Sequence, residues 1–211
     1  MRLKKIKNAK ETVIQSSYYV DAPQMNKGHW SEVFENLNPI HIEVGMGKGR
    51  FIIGMAEAHP DINFIGIEKY DSVLVKAVNT LEGKEKISNL KLLLFDAEGI
   101  EEIFDREVSR IYLNFSDPWP KARHEKRRLT SEVFLKKYDK IFKDKKEIFQ
   151  KTDNRDFFDF SLESIKNYGY TIDECTYDLY AENDITNIPT EYEEKFNSAG
   201  ININRLKAHK D

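Results

Sequence analysis

Short apolar runs of strand length, each ending in glycine or an acid, alternate along this chain with longer runs of helical period. A strand that returns to the same sheet in the same sense needs a crossover, so this rhythm selects an α/β fold around a mostly parallel sheet. The pattern predicts strands at residues 40–44, 62–67, 90–95 and 110–115, with helices at 49–58 and 70–81 and a short helical turn at 100–104. The fourth strand runs into Asp117-Pro118-Trp119-Pro120, where two prolines forbid its continuation. Beyond it the spacing predicts a helix over 131–142, a strand over 147–151, a helix over 156–168 and strand-like stretches near 170–180 and 201–207. No internal repeat and no Ser/Gly/Pro-rich linker interrupts the order, so residues 1–211 read as one domain.

Composition narrows the class. Cys175 is the only cysteine, which rules out an internal disulfide and a cysteine-cluster metal site. The five histidines show no metal-ligand spacing, and no metal is expected. The basic start lacks the apolar core of a signal peptide, and apolar stretches such as Leu92-Leu93-Leu94-Phe95 fall far short of the roughly 20 residues a membrane span needs. A cytoplasmic setting without membrane association is the expectation.

Charge is segregated although the total is only −3. Residues 121–151 carry a net +7 and residues 152–194 a net −10. A second basic cluster, Arg2, Lys4, Lys5, Lys7 and Lys10, suits an arm at about residues 1–12 that follows a phosphate backbone, or equally a frayed, solvated terminus.

The first strand leads into Glu43-Val44-Gly45-Met46-Gly47-Lys48-Gly49. Glycines at alternate positions let the backbone turn tightly and approach a ligand at the start of the next helix. The third glycine comes one residue too early for a dinucleotide fingerprint, and Gly49-Arg50, with no Gly-Lys-Ser/Thr, disfavours a Walker loop. Glu43 would repel a pyrophosphate and attract an ammonium, so the loop suits a ligand with a cationic amino-acid end. Glu68 closes the second strand, where an acid can accept hydrogen bonds from both ribose hydroxyls. Asp96 closes the third, at a height that suits an adenine amino group, although a strand-end Asp also caps helices.

Together, Glu43, Gly45, Gly47, Gly49, Glu68 and Asp96 resemble the cofactor motifs of class I S-adenosylmethionine-dependent methyltransferases. Four further segments in order single out a branch: Asn114-Phe115-Ser116-Asp117-Pro118-Trp119-Pro120-Lys121, then Arg123-His124-Glu125-Lys126-Arg127-Arg128, Lys151-Thr152-Asp153-Asn154, and Thr190-Glu191-Tyr192-Glu193. These resemble the bacterial tRNA (guanine-N7)-methyltransferases over nearly the whole chain. The resemblance implies a Rossmann-like, seven-stranded, mostly parallel sheet with helices on both faces. It implies methyl transfer from S-adenosylmethionine to N7 of a guanine in the tRNA variable loop, giving 7-methylguanosine and S-adenosylhomocysteine. It assigns Asp117 to catalysis and the cofactor, Lys121, Asp153, Thr190, Glu191, Tyr192 and Glu193 to substrate, and Arg123, His124, Lys126, Arg127 and Arg128 to RNA contact.

Chemistry supports that assignment. Guanine N7 offers a lone pair without losing a proton, so the attack needs alignment and compensation of growing positive charge rather than a general base. Asp117 can supply both, or can merely cap the turn it sits in. Trp119 beside it suits a flipped base or a place in the core. Two other readings stay open on sequence alone: a methyltransferase acting on a protein or small molecule, and an RNA-binding module with a vestigial cofactor pocket. Nothing in the pattern separates a monomer from a homodimer.

Overall fold

The computed structural model describes residues 5–211; Arg2 and Lys4 of the basic cluster lie outside that range. The chain opens with helix α1 (Ala9–Gln15), a 3-10 turn (Pro23–Asn26) and the short α2 (Trp30–Phe34). The alternation then begins with β1 (Ile40–Val44), α3 (Arg50–Ala58), β2 (Asn63–Glu68), α4 (Asp71–Leu81) and β3 (Leu90–Leu94). A 3-10 segment (Ala97–Glu102) leads to β4 (Val108–Asn114), and another (Ala122–Arg127) to α5 (Glu132–Ile141) and β5 (Phe142–Thr152). The remainder is α6 (Arg155–Asn167), β6 (Thr171–Thr176), a 3-10 turn (Leu179–Glu182), α7 (Glu191–Ser198) and β7 (Asn204–Lys210).

Seven strands form one sheet in the order β3-β2-β1-β4-β5-β7-β6. The pairs β1–β2, β2–β3, β1–β4 and β4–β5 are parallel, while β7 runs antiparallel to both of its neighbours. The expected mostly parallel sheet is therefore what forms. Every residue of β1 and β2 is buried, because helices cover both faces, and this explains why apolar residues dominate their centres. One apolar layer packs Phe134, Leu135, Tyr138, Phe158 and Ile165 with Trp30 and Ile42; the other packs Val13, Phe51, Ile52, Leu74 and Val78 with Phe64 and Leu92.

The two sheet edges are managed differently. Along β3 the chain at Tyr18–Val20 runs as an extra partner, with Leu92 N donating to Tyr18 O at 2.8 Å and Val20 N to Leu92 O at 3.2 Å. At the other edge β6 is left exposed with Asp173 and Glu174 on it, and charge discourages further pairing there.

The basic segment near the start is less loose than a free arm to residue 12. Ala9 and Val13 are buried against α4, so α1 is anchored by the two apolar residues that fall four apart on one face. Strand order reverses direction between β1 and β4, and the carboxyl ends of β1, β2, β3 and β4 open there on a crevice, the usual ligand position in such sheets.

Candidate active site

A cleft of about 280 Å³ lies at these strand ends, lined by Gly45, Gly47, Glu68 and Asp96 on one side and Asp117, Trp119, Arg127 and Tyr192 on the other. Gly45 (φ 79°) and Gly47 (φ 58°) sit in left-handed conformations, and a side chain added to either would meet nothing within 4 Å. Those two positions leave open space for a ligand. Gly49 (φ 82°) is turned the other way: its added Cβ would stand 2.9 Å from Ala77 Cβ and Met46 Cε. It lets α3 start close against α4 and does not line the cleft.

The acids on this side are held by backbone amides. Glu68 Oε2 accepts from Gly47 N (3.2 Å), and Oε1 accepts from Lys69 N (2.9 Å) and Tyr70 N (3.1 Å). Burial pushes its carboxyl up, and the three amides pull against that shift. Asp96 Oδ1 accepts from Glu98 N at 3.0 Å, so it caps the following 3-10 segment and also lines the cleft; both readings of this residue coexist. Glu43 is buried beneath the loop, with Oε1 accepting from Asn114 Nδ2 at 2.9 Å and Oε2 without a partner among the described residues. Burial pushes its carboxyl up to about 8, with Asn114 and Lys151 opposing. An orphaned buried acceptor, an open glycine cradle and two more acids at adjacent strand ends match the ammonium, ribose and adenine amino groups of S-adenosylmethionine. The residues present fit that cofactor.

The facing side is built from strained backbone. After β4, Phe115 (φ 51°) and Trp119 (φ 41°) both adopt the left-handed region without being glycine, at a cost of about 1–3 kcal/mol each. Between them Asp117 is exposed at the cleft, and its carboxylate has no hydrogen-bond partner among the described residues. The turn is braced from behind: Arg128 donates from Nε to Pro118 O (3.0 Å) and from Nη2 to Trp119 O (3.3 Å), with its guanidinium 4.2 Å from the Phe160 ring centre. Arg128 thus faces inward, away from the RNA contact expected of it, because two backbone carbonyls of the turn take its donors. Just beyond, Lys121 is exposed at the start of the 3-10 segment, on which Arg123, Lys126 and Arg127 are exposed and His124 half-buried. Trp119 belongs to the cleft rather than the core, with Arg127 Cζ 4.2 Å above its ring.

The four residues of the Thr190 motif divide sharply. Thr190 caps α7, its Oγ1 accepting from Glu193 N at 2.9 Å, while Glu193 Oε2 accepts from Thr190 N at 3.3 Å. Glu193 is wholly buried and paired with Lys151, whose Nζ donates to Glu193 Oε2 (2.6 Å), Asn187 Oδ1 (3.1 Å) and Ile188 O (3.0 Å). Its carboxylate is therefore not open to a guanine in this structure. Tyr192 lines the cleft, stacked with Phe115 and Phe196 at ring-centre distances of 6.3 Å for each pair. Glu191 pairs with Lys48 and Glu194 with Arg50, so α7 is tied directly to the glycine loop. Asp153 is half-buried just past β5, outside the cleft lining. The acidic segment is less negative in space than along the chain: Glu174 and Asp184 pair with Arg205, and Glu174 also with Lys207.

Sequence reasoning overlooked α7, Lys151 as its anchor and Phe115 as a stacking partner. Thr190-x-x-Glu193 ahead of Phe196 is the capping-box pattern and could have marked the helix start. Among the described residues no group of three or more His, Cys, Asp or Glu could hold a metal, and no helix is long and apolar enough to cross a membrane.

Residues 37–206 match the family model described as "putative methyltransferase". The chain is 52% identical to the tRNA (guanine-N(7)-)-methyltransferase of Lachnoclostridium phytofermentans, over 100% of this chain and 99% of that one. This chain belongs to the bacterial tRNA (guanine-N7)-methyltransferase family. Identity to the family member of Bacillus velezensis is 52% over 89% of this chain and 87% of that one, and to that of Streptococcus mutans 49% over 99% of each. Solved structures share the fold at low identity: an antibiotic-related methyltransferase (TM-score 0.65, 18% identity, 90% of this chain and 95% of that one) and the 16S rRNA methyltransferase KamB (0.64, 12%, 86% and 92%). Membership makes this chain a methyltransferase.

Proposed function

We propose that this chain methylates N7 of a guanine in the variable loop of tRNA, with the glycine-loop side of the cleft holding the cofactor and the Asp117 side holding the base. The reaction is S-adenosylmethionine-dependent formation of 7-methylguanosine in tRNA. The observation that carries the division of labour is the unpartnered Asp117 carboxylate, facing across one cleft the glycines that leave room for a ligand.

When bound, S-adenosylmethionine supplies an electrophilic methyl group on a sulfonium. Glu43 receives the ammonium end, Glu68 the ribose hydroxyls and Asp96 the adenine amino group, while Gly45 and Gly47 let the backbone come close. Asp117 accepts hydrogen bonds from guanine N1–H and its amino group, which orients N7, and its charge offsets the positive charge that grows on the ring. Holding that carboxylate on strained, braced backbone fixes its direction before substrate arrives. Thr190 and Glu193 act through α7 by keeping Tyr192 on the cleft, and Lys121 and Asp153 flank the base site. Because N7 lies in a deep, narrow groove of A-form RNA, the guanine comes from a loop or is flipped, and Arg123, His124, Lys126 and Arg127 hold the flanking phosphates.

The test is incubation with methyl-labelled S-adenosylmethionine and an unmodified tRNA transcript, followed by digestion and nucleoside mass spectrometry. Label in 7-methylguanosine that maps to the variable loop is the expected result. Label elsewhere in the RNA, or none with cofactor binding intact, overturns the assignment.

A further inference from the structure

The contact between Trp119 and Arg127 is one that the reaction as described leaves unused. The indole lines the cleft two residues from Asp117, and the Arg127 guanidinium lies 4.2 Å from its ring centre. Arg127 is exposed and has no carboxylate partner among the described residues, unlike Lys48, Arg50, Arg110 and Arg205. What holds it on the indole is the attraction of a cation for a π-face, which is weak at an exposed site. Trp119 itself is not free to follow, because Arg128 grips the Pro118 and Trp119 carbonyls from behind. The result is a fixed aromatic platform beside the proposed base-orienting acid, carrying a loosely held lid.

The lid has a particular chemistry. A guanidinium is flat, delocalised and positively charged. Guanine becomes a flat, delocalised cation as its N7 takes the methyl group: the N7 lone pair forms the new C–N bond, the C–S bond breaks with its electrons going to sulfur, and the sulfonium charge passes to the ring. A π-face that attracts the first species attracts the second, and attracts it more than the neutral base from which it forms.

Resting on the tRNA methyltransferase reading of this cleft, we propose that the Trp119 face recognises the cationic ring of 7-methylguanine as it forms, and that Arg127 occupies that face in the free protein and leaves it for an RNA phosphate when substrate docks. Trp119 is then a stacking residue for the developing cation, and Arg127 a competitor that clears the platform on RNA binding and returns to help expel the methylated base.

Fluorescence reads this directly, since the second tryptophan, Trp30, is wholly buried and remote in sequence from the loop. The full chain is titrated with 7-methylguanosine monophosphate and with guanosine monophosphate, in wild type, Arg127→Ala and Trp119→Phe. The methylated nucleotide should perturb the emission at several-fold lower concentration than the unmethylated one, and Arg127→Ala should tighten that response further while weakening tRNA binding. Trp119→Phe should abolish the signal. Equal response to the two nucleotides, or no tightening in Arg127→Ala, overturns the proposal. Single-turnover methylation of tRNA adds a second readout: Trp119→Leu should slow the step at least tenfold with tRNA affinity changed much less, and Trp119→Phe should restore most of the rate. A Trp119→Leu enzyme as fast as wild type overturns it too. Wild type that methylates no tRNA would instead remove the functional reading beneath it.

Discussion

The two walls of the cleft reach rigidity by opposite routes. On the glycine-loop side, Glu68 is held by three backbone amides and Glu43 is buried behind a side-chain amide, while Gly45 and Gly47 take their left-handed turns without a steric cost. On the Asp117 side, Phe115 and Trp119 take left-handed turns with full side chains, Asp117 is left exposed and unpartnered among the described residues, and a half-buried brace from Arg128 keeps the strain in place. The first wall follows from the fold, because strand ends and a glycine turn suffice for it. The second stores strain that only its surroundings sustain, as expected where a charge must be presented to a substrate rather than neutralised.

The sharpest way to break this comparison lies at the anchor between the walls. Lys151→Met removes all three donors from a site where Glu193 has no access to water, so the folded state should lose about 3–5 kcal/mol, read as a lower urea midpoint. Adding Glu193→Leu should recover much of the loss; if it does not, the buried charge is not its cause. Next in size is Asp117→Ala, which should lower kcat for tRNA methylation by about 10²–10³ with an unchanged urea midpoint, since no native hydrogen bond is lost. A wild-type rate would remove Asp117 from the chemistry.

Two glycines of one loop separate cofactor access from packing. Gly47→Val places a β-branched residue at φ 58° with its side chain in the cleft, and should reduce S-adenosylhomocysteine affinity by about tenfold or more in calorimetry, because that side chain takes space the ligand would fill. Gly49→Ala should instead lower stability by about 1–3 kcal/mol, because its Cβ meets Ala77 and Met46. Similar effects from both would erase the distinction drawn between them.

The smallest effect concerns protons. With its carboxyl pushed up to about 8, Glu43 is protonated at about pH 6.5, so binding an ammonium there should release close to one proton. Calorimetry in buffers of different ionisation enthalpy measures that number, and Glu43→Gln should bring it near zero. The sign for folding is opposite in sense: the folded chain retains a proton that the unfolded chain has shed, so the stability that Glu43 contributes falls as pH rises from the ordinary carboxylate range to about 8.

Much of the fold was legible because hydrophobic runs and breakers act locally. The strand at 40–44 forms as read, and helices α3 and α5 lie within the spans 49–58 and 131–142. The amphipathic α1 was hidden by surrounding lysines, and α7 by a polar surface that only its capping box betrays. At the site, Gly45, Gly47, Glu68, Asp96 and Asp117 do converge on one cleft, since strand-end position follows from strand length. Gly49, Arg128, Thr190 and Glu193 went elsewhere and Glu43 lies buried beneath the cleft lining rather than on it, since a side chain's direction depends on partners distant in sequence.

By itself, then, the amino-acid order determined the alternation of elements, the parallel sheet, the turn glycines and the set of acids at strand ends, all of which depend on residues within a few positions of one another. Only the tertiary structure decided that Glu193 is sealed against Lys151, 42 residues away, that Arg128 props the Asp117 turn, and that Arg127 covers Trp119. Burial and charge pairing are properties of what surrounds a side chain, and those surroundings exist only once the helices have packed on the sheet.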